Sequence, residues 1–144
     1  MSVKAYQHKQ STNSNANDFD EAVGACQEWL DRHAAQVRAI TSWQRVESEL
    51  IHEHGWFDLD GKEQSALPKA ATLDAISSDA DKLCEANQEL LARLSEIKAS
   101  SLHGIARKLS VVLEIIPPEQ NYAAHTLMQS IIRDLNELIL RATE

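Results

Sequence analysis

The sequence is poor in glycine, proline and aromatic residues. It holds four glycines and three prolines among 144 residues, and aromatic side chains make up 5% of the chain. These counts exclude collagen-like and low-complexity chains, and they disfavour an all-β sandwich, which needs many Gly- and Pro-rich turns. Two cysteines are too few for a disulfide-dense scaffold. No run approaches the ~18 apolar residues of a membrane span.

Basic residues are scarce as well. The chain carries 14 Lys and Arg against 22 Asp and Glu, which gives a formal net charge of −8, while its 43% hydrophobic content is ordinary for a globular protein. An acidic protein repels phosphate groups, so we expect no binding to nucleic acid and none to membrane surfaces. A length of 144 residues suits one domain.

The cysteines and the N-terminus bear on the cellular compartment. Cys26 and Cys84 each fall in the apolar stripe of a predicted helix, which favours buried, reduced thiols. Residues 1–8 have no apolar segment of the secretory type. The sequence therefore predicts a cytoplasmic protein.

The chain begins with a polar segment. Residues 1–17 offer almost nothing to bury, so they predict a disordered tail, followed by one helical domain over residues 18–144. The first helix is predicted from about residue 18 to 54, capped by Asn17 or Asp18 and ended by Gly55, with a bend near residues 34–36 as the alternative to a continuous helix.

Residues 55–68 form a linker with unusual apolar content. We expect Trp56, Phe57 and Leu59 to fold back over one end of the bundle. The sequence around Asp58 and Asp60 resembles a fragment of a calcium loop, but the required ligand positions do not match. A plain Asp/Gly turn is the better interpretation.

The second helix has the most regular apolar pattern, with alternating spacings of three and four from Leu73 to Ile97. This pattern predicts a coiled-coil-like seam. Its polar member is Asn87. This residue either is buried and fixes the register of helix pairing, or lies at the edge of the stripe in contact with solvent. We predict core or dimer contacts for four seam residues: Leu83, Asn87, Leu90 and Leu94.

The last third of the chain predicts a helical hairpin. Ser100 or Ser101 can cap a third helix, prolines 117 and 118 end it, and a fourth helix follows over about residues 119–141. The predicted fold is thus an all-α, antiparallel helical bundle of about four helices, the first two forming a long hairpin. The apolar surface of the last hairpin is broad enough that a homodimer is plausible.

Three groups of residues invite a chemical interpretation. His52 and His54 end the first helix, but their spacing of two points them to different sides, so a metal site there is only an alternative, and no cofactor is expected. His125 lies in a segment that resembles the start of the phosphorylated helix of histidine phosphotransfer domains, which are four-helix bundles. The lysine and glycine of that motif are replaced here by Met128 and Gln129.

The third group surrounds Gly104. A glycine early in a helix costs about 1 kcal/mol relative to alanine, so something needs its missing side chain. Close packing of another helix is one reason, and approach of a partner or an anion is the other. The candidate interaction segment comprises Leu102, His103, Gly104, Arg107 and Lys108.

The same stretch carries a family resemblance. Residues 101–109, together with residues 130–138 and the region of Trp43, are similar to small all-helical proteins of alphaproteobacteria that share a Thr-Leu-Ala-Gly-x-x-Ala-Lys-Leu-like segment. His103 and Arg107 depart from the alanines usual there. The resemblance implies a helical fold and a bacterial source, and it implies no particular activity.

The sequence shows no nucleophile elbow, P-loop, dinucleotide fingerprint or Cys-x-x-Cys motif. Long apolar stripes without a catalytic constellation predict a non-enzymatic protein that binds a protein partner or itself, as an interaction or regulatory bundle. The alternatives are a degenerate histidine phosphotransfer module with His125 as phosphoacceptor and a metal-binding bundle.

Overall fold

The computed structural model describes residues 20–143, and the predicted tail over residues 1–17 lies outside them. The described chain is all-helical, as the sequence predicts, and no strand occurs within residues 20–143. It has five α-helices rather than about four, because the linker contains a short helix and a single 3₁₀ turn, Trp56–Asp58. The helices are α1 (Glu21–His54), α2 (Gly61–Ser65), α3 (Pro68–Leu94), α4 (Leu102–Ile115) and α5 (Tyr122–Ala142).

The long first helix is one unbroken element from Glu21 to His54 and runs through residues 34–36 without interruption. Asp20, which the sequence pattern places inside the first turn, is instead the N-cap and accepts a hydrogen bond from the amide of Ala22. Gly55 ends the helix as predicted, in the left-handed conformation at φ 61°, and its amide donates to the carbonyl of Ile51.

The linker folds by local capping. The Asp60 side chain accepts from the amides of Lys62 and Glu63, while the Glu63 carboxylate accepts from the amide of Asp60, which makes a capping box for α2. The Asp/Gly segment is therefore a turn into a helix. Trp56 packs against the core as expected, but Phe57 is 71% exposed, so the prediction that it covers the bundle is wrong.

Helices α1 and α3 pack along their lengths around two apolar clusters. One cluster joins α1, α3 and α4, and the other lies near the linker. α3 ends at Leu94, one turn earlier than its pattern predicts, and Ile97 packs against the first cluster from outside the helix. The first cluster contains Cys26, Trp29, Leu90, Leu94 and Val111, and the second contains Val46, Leu50 and Leu73.

The principal packing contacts run in the order α3–α1–α4–α5. His33 of α1 stacks on Trp29 and lies with its Nε2 3.5 Å from the Glu114 carboxylate of α4, which ties these two helices together. α5 packs mainly against α4 and stands apart from the core formed by α1 and α3. Between residues 20 and 143, no helix has the length and apolarity needed to cross a membrane.

Candidate interaction surface

Helices α4 and α5 form an antiparallel hairpin. Ile116 leaves the helical conformation just before Pro117, because a residue that precedes proline avoids the α region. Asn121 then caps α5 by accepting from the amide of Ala124 at 3.1 Å. Residues 103–110 of α4 and residues 132–136 of α5 line one common pocket, so the start of α4 lies beside the later part of α5.

The N-terminus of α4 is anchored to that of α1. Ser101 caps α4, as the sequence predicts, by accepting from the Gly104 amide at 3.1 Å. The Ser101 hydroxyl donates to Oδ2 of Asp20 at 2.6 Å, and the Ser100 amide donates to the same oxygen at 3.1 Å. These bonds, the Ser101 hydrogen bond above all, hold the pKa of the Asp20 carboxyl below its ordinary value.

The outward side of the hairpin is apolar and exposed. Of the twelve exposed large hydrophobic residues between residues 20 and 143, nine lie in α4 and α5. Only one residue of α5, Ile139, is buried. Exposed apolar residues at spacings of four and seven form one line along each helix, and we call the two lines together the hairpin face: Ile105 and Val112 on α4, with Leu127, Ile131 and Leu138 on α5.

The apolar surface continues beyond the hairpin into a groove of about 190 Å³. Val112 belongs both to the hairpin face and to this groove, whose other walls come from α1 and α3. Cys26 lies at its floor, and burial raises the pKa of this thiol. The lining residues are Cys26, Leu91, Leu94, Ser95, Lys108, Val111, Val112 and Ile115.

The opposite edge of the hairpin is polar. A pocket of about 140 Å³ lies between α4 and α5, and its walls carry the side chains of His103, Arg107, Ser110 and Asn136. The residues of the predicted interaction segment therefore lie on different sides of α4 and do not form one surface. His103 and Arg107 line the polar pocket, Lys108 lines the apolar groove, and Gly104 is buried against Asp20.

A larger cleft, of about 630 Å³, lies where α1 begins and α3 ends. It is rimmed by acidic side chains, including Asp20 and Glu28, and by Arg93. The Asp20 carboxylate is already engaged by the cap of α4, and Glu28 pairs with Arg32 one turn along α1. Two of the acidic side chains of this cleft thus serve helix capping and local pairing.

The seam residues of α3 face the inside of the chain. Leu90 and Leu94 belong to the core cluster with Trp29, and Leu83 is half-buried. Asn87 is 5% exposed, which decides between the two interpretations in favour of burial. Its Nδ2 donates to the carbonyl of Trp29 at 3.3 Å, while its Oδ1 and the Trp29 Nε1 have no partner among the described residues.

The remaining candidate histidines are scattered. His52 and His54 are exposed at the end of α1, and His125 is half-buried in the first turns of α5. Within residues 20–143, no group of three His, Cys, Asp or Glu side chains is arranged to hold a metal ion.

Comparison with known proteins found no matching family model, no similar curated protein and no similar solved structure. The resemblance to the small alphaproteobacterial proteins therefore stays a prediction.

The exposed stripe of α5 was only partly visible in the sequence. Ile131 and Leu138 stand in its heptad pattern and Leu127 flanks it, but periodicity marks an apolar side without telling whether the chain itself covers it. The unusual breadth of apolar residues in the last hairpin was the available signal.

Proposed function

We propose that this protein is a non-enzymatic helical interaction module that binds a protein partner through the hairpin face. The observation that carries the proposal is the concentration of exposed apolar side chains on α4 and α5, five of which stand at helical spacings in the two lines of the hairpin face. Contiguous exposed apolar surface on a soluble protein marks an interaction site, because leaving it in water is unfavourable.

The shape of the surface suits a helical partner. Each of the two neighbouring helices carries a line of exposed apolar side chains, and an amphipathic helix can pack its own apolar stripe against such a line at i, i+3, i+4 and i+7 positions. Residues 102–143 carry four acidic and four basic side chains, so this part of the chain has a net charge of zero. A partner helix with an apolar stripe and low net charge fits this surface.

The proposal includes a cytoplasmic location. Both cysteines are free, and Cys26 is buried among apolar side chains, an arrangement that suits a reducing compartment.

Site-specific photocrosslinking tests the proposed function. A photoreactive phenylalanine analogue replaces Leu138, which is 50% exposed on the hairpin face, or Leu140, which is 66% exposed and lies on the other side of α5. Illumination of cells that produce each variant should give a covalent adduct of discrete mass at position 138 and none at position 140. Equal adduct yields at the two positions, or none at either, would overturn the proposal.

A further inference from the structure

We infer that the occupant of the hairpin face is a second copy of this chain, with α4 of each copy lying against α5 of the other. The inference rests on the proposed function, since it names the partner of the same surface. In this dimer, the α4–α5 hairpin of each copy forms one half of an intermolecular four-helix bundle.

The first support is the incomplete burial of α5. It is a 21-residue amphipathic helix with a single buried residue, and it packs mainly on one neighbour. A helix in a four-helix bundle contacts two neighbours, and a hairpin supplies only one of them. An identical hairpin stacked on the hairpin face supplies the other, and a two-fold axis makes the same surface complementary to itself.

The second support is the charge distribution. Residues 20–101, which we call the acidic body, carry 16 acidic and 8 basic side chains, whereas residues 102–143 are neutral overall. Two copies that met through their acidic bodies would repel each other. Two copies that meet through the hairpin face bring together the part of the described chain that carries no net charge.

Two hairpins can stack with two-fold symmetry in two ways, with α4 against the α4 or against the α5 of the second copy. The charges of the acidic body favour one of these two arrangements. If α4 lay against the α4 of the second copy, the two acidic bodies would lie side by side, because α1 flanks the hairpin on its α4 side. If α4 lies against the α5 of the second copy, the two acidic bodies lie on opposite sides of the four-helix bundle. Like-charge repulsion therefore favours the second arrangement.

The hairpin also sets which residues meet. The polar pocket places His103 and Ser110 beside Asn136 and Ile132, with the chain order reversed. Counted along the two antiparallel helices, Val112 is then level with the turn of α5 between Leu127 and Ile131. When the two-fold axis runs parallel to the helices, Val112 of one copy faces this turn of the second copy's α5, which ends at Ile131.

Light scattering during size exclusion measures the association directly. The wild-type chain should elute with about twice its mass of 16.1 kDa over a range of concentrations. Leu138→Asp should shift the mass to that of one chain at concentrations where the wild type is dimeric, whereas Leu140→Asp, with the same charge change on the same helix, should stay dimeric. Both side chains are exposed within one chain, so circular dichroism should show both variants folded.

Disulfide trapping tests the arrangement. In a Cys84→Ser background, a copy carrying Val112→Cys is mixed with a differently tagged copy carrying Ile131→Cys and oxidised. The mixed pair should form the main cross-linked product. Dominant cross-linking of Val112→Cys copies with each other would overturn the arrangement, because it places α4 against α4.

The outcomes separate this inference from the proposed function. A wild-type chain that is monomeric at every concentration, together with a photo-adduct at position 138 to a different protein, overturns the second copy as occupant and leaves the interaction module standing. A monomer without any adduct at position 138 overturns both.

Discussion

The carboxylate of Asp20 occupies the space that a side chain at position 104 would need. A Cβ built on Gly104 would overlap Asp20 Oδ2 and lie 2.9 Å from its Cγ and 3.0 Å from the Cβ of Ala99. The missing side chain of Gly104 therefore lets the N-termini of α1 and α4 approach each other closely. Packing within the chain, rather than the approach of a ligand, accounts for this glycine.

Gly104→Ala should destabilise the fold, although alanine favours a helix by about 1 kcal/mol over glycine. Overpacking of this kind costs about 1–3 kcal/mol, because the Asp20 carboxylate must move and lose its bonds to Ser101 and Ser100. Gly24 is the matched control, since a Cβ there meets nothing within 4 Å. Denaturant unfolding should show lower stability for Gly104→Ala and unchanged or higher stability for Gly24→Ala. An equal gain in stability in both variants would contradict the steric overlap between a side chain at position 104 and Asp20.

A double-mutant cycle should locate the cost at Asp20. In an Asp20→Ala background, the carboxylate that blocks residue 104 is absent, so Gly104→Ala should cost much less than it does in the wild-type chain. The coupling between the two substitutions is measured from four unfolding free energies. Additive effects would place the strain elsewhere.

The bonds to Asp20 should also make stability depend on pH. The pKa of this carboxyl is lowered in the folded chain, first by the hydrogen bond from Ser101. The carboxylate therefore stabilises the fold above its ordinary pKa of 3.8, and this contribution is lost as the pH falls through the lowered value. Asp20→Asn should lower the urea midpoint at pH 6, and the gap from wild type should narrow at pH 2.5. The pKa of the Glu53 carboxyl is also lowered, first by its hydrogen bond with Lys69. Its contribution to the pH dependence is the same in the wild type and in Asp20→Asn, so it does not change the gap between them. A gap that stays constant would contradict this role.

The sequence predicts helices well here and their mutual packing poorly. Ser101 as the cap of α4 and Gly55 as the end of α1 follow from local chemistry, and both are confirmed. The start of α1 does not follow in the same way, because Asn17, Asp18 and Asp20 all suit a cap. What distinguishes Asp20 is a contact with residues about eighty positions away along the chain.

The exposure of the hairpin face could not be read from the sequence for a related reason. Amphipathic periodicity is the same whether an apolar stripe is covered by the chain or left free. The structure shows that α1 covers α3 and α4 but not α5. The capping box of Asp60 and Glu63, by contrast, was visible in the sequence as Asp-x-x-Glu, and the interpretation as a plain turn missed the helix it begins.

Asn87→Leu should leave the stability unchanged or raise it, by about 1 kcal/mol at most. Replacing a buried polar group by an apolar one of similar shape removes the desolvation cost of its unpartnered Oδ1. The Trp29 carbonyl keeps its bond within α1, as every interior helical carbonyl does. Asn87→Asp should be strongly destabilising, because a buried carboxylate would face that carbonyl oxygen. Thermal unfolding of both variants gives the comparison, and a large loss for Asn87→Leu would show that the single hydrogen bond outweighs the unpartnered oxygen.

The two thiols should react with a disulfide reagent at very different rates. Cys26 is 0% exposed, and its burial raises the pKa of its thiol, so little thiolate forms and the reagent cannot reach it in the folded chain. Cys84 is half-buried on α3 and should react first. Labelling at neutral pH should therefore show a fast and a slow phase, with Cys84→Ser removing the fast one. In urea that unfolds the chain, both thiols should react alike, because the difference arises from burial. A single fast phase for two thiols in the native protein would mean that the groove above Cys26 opens freely.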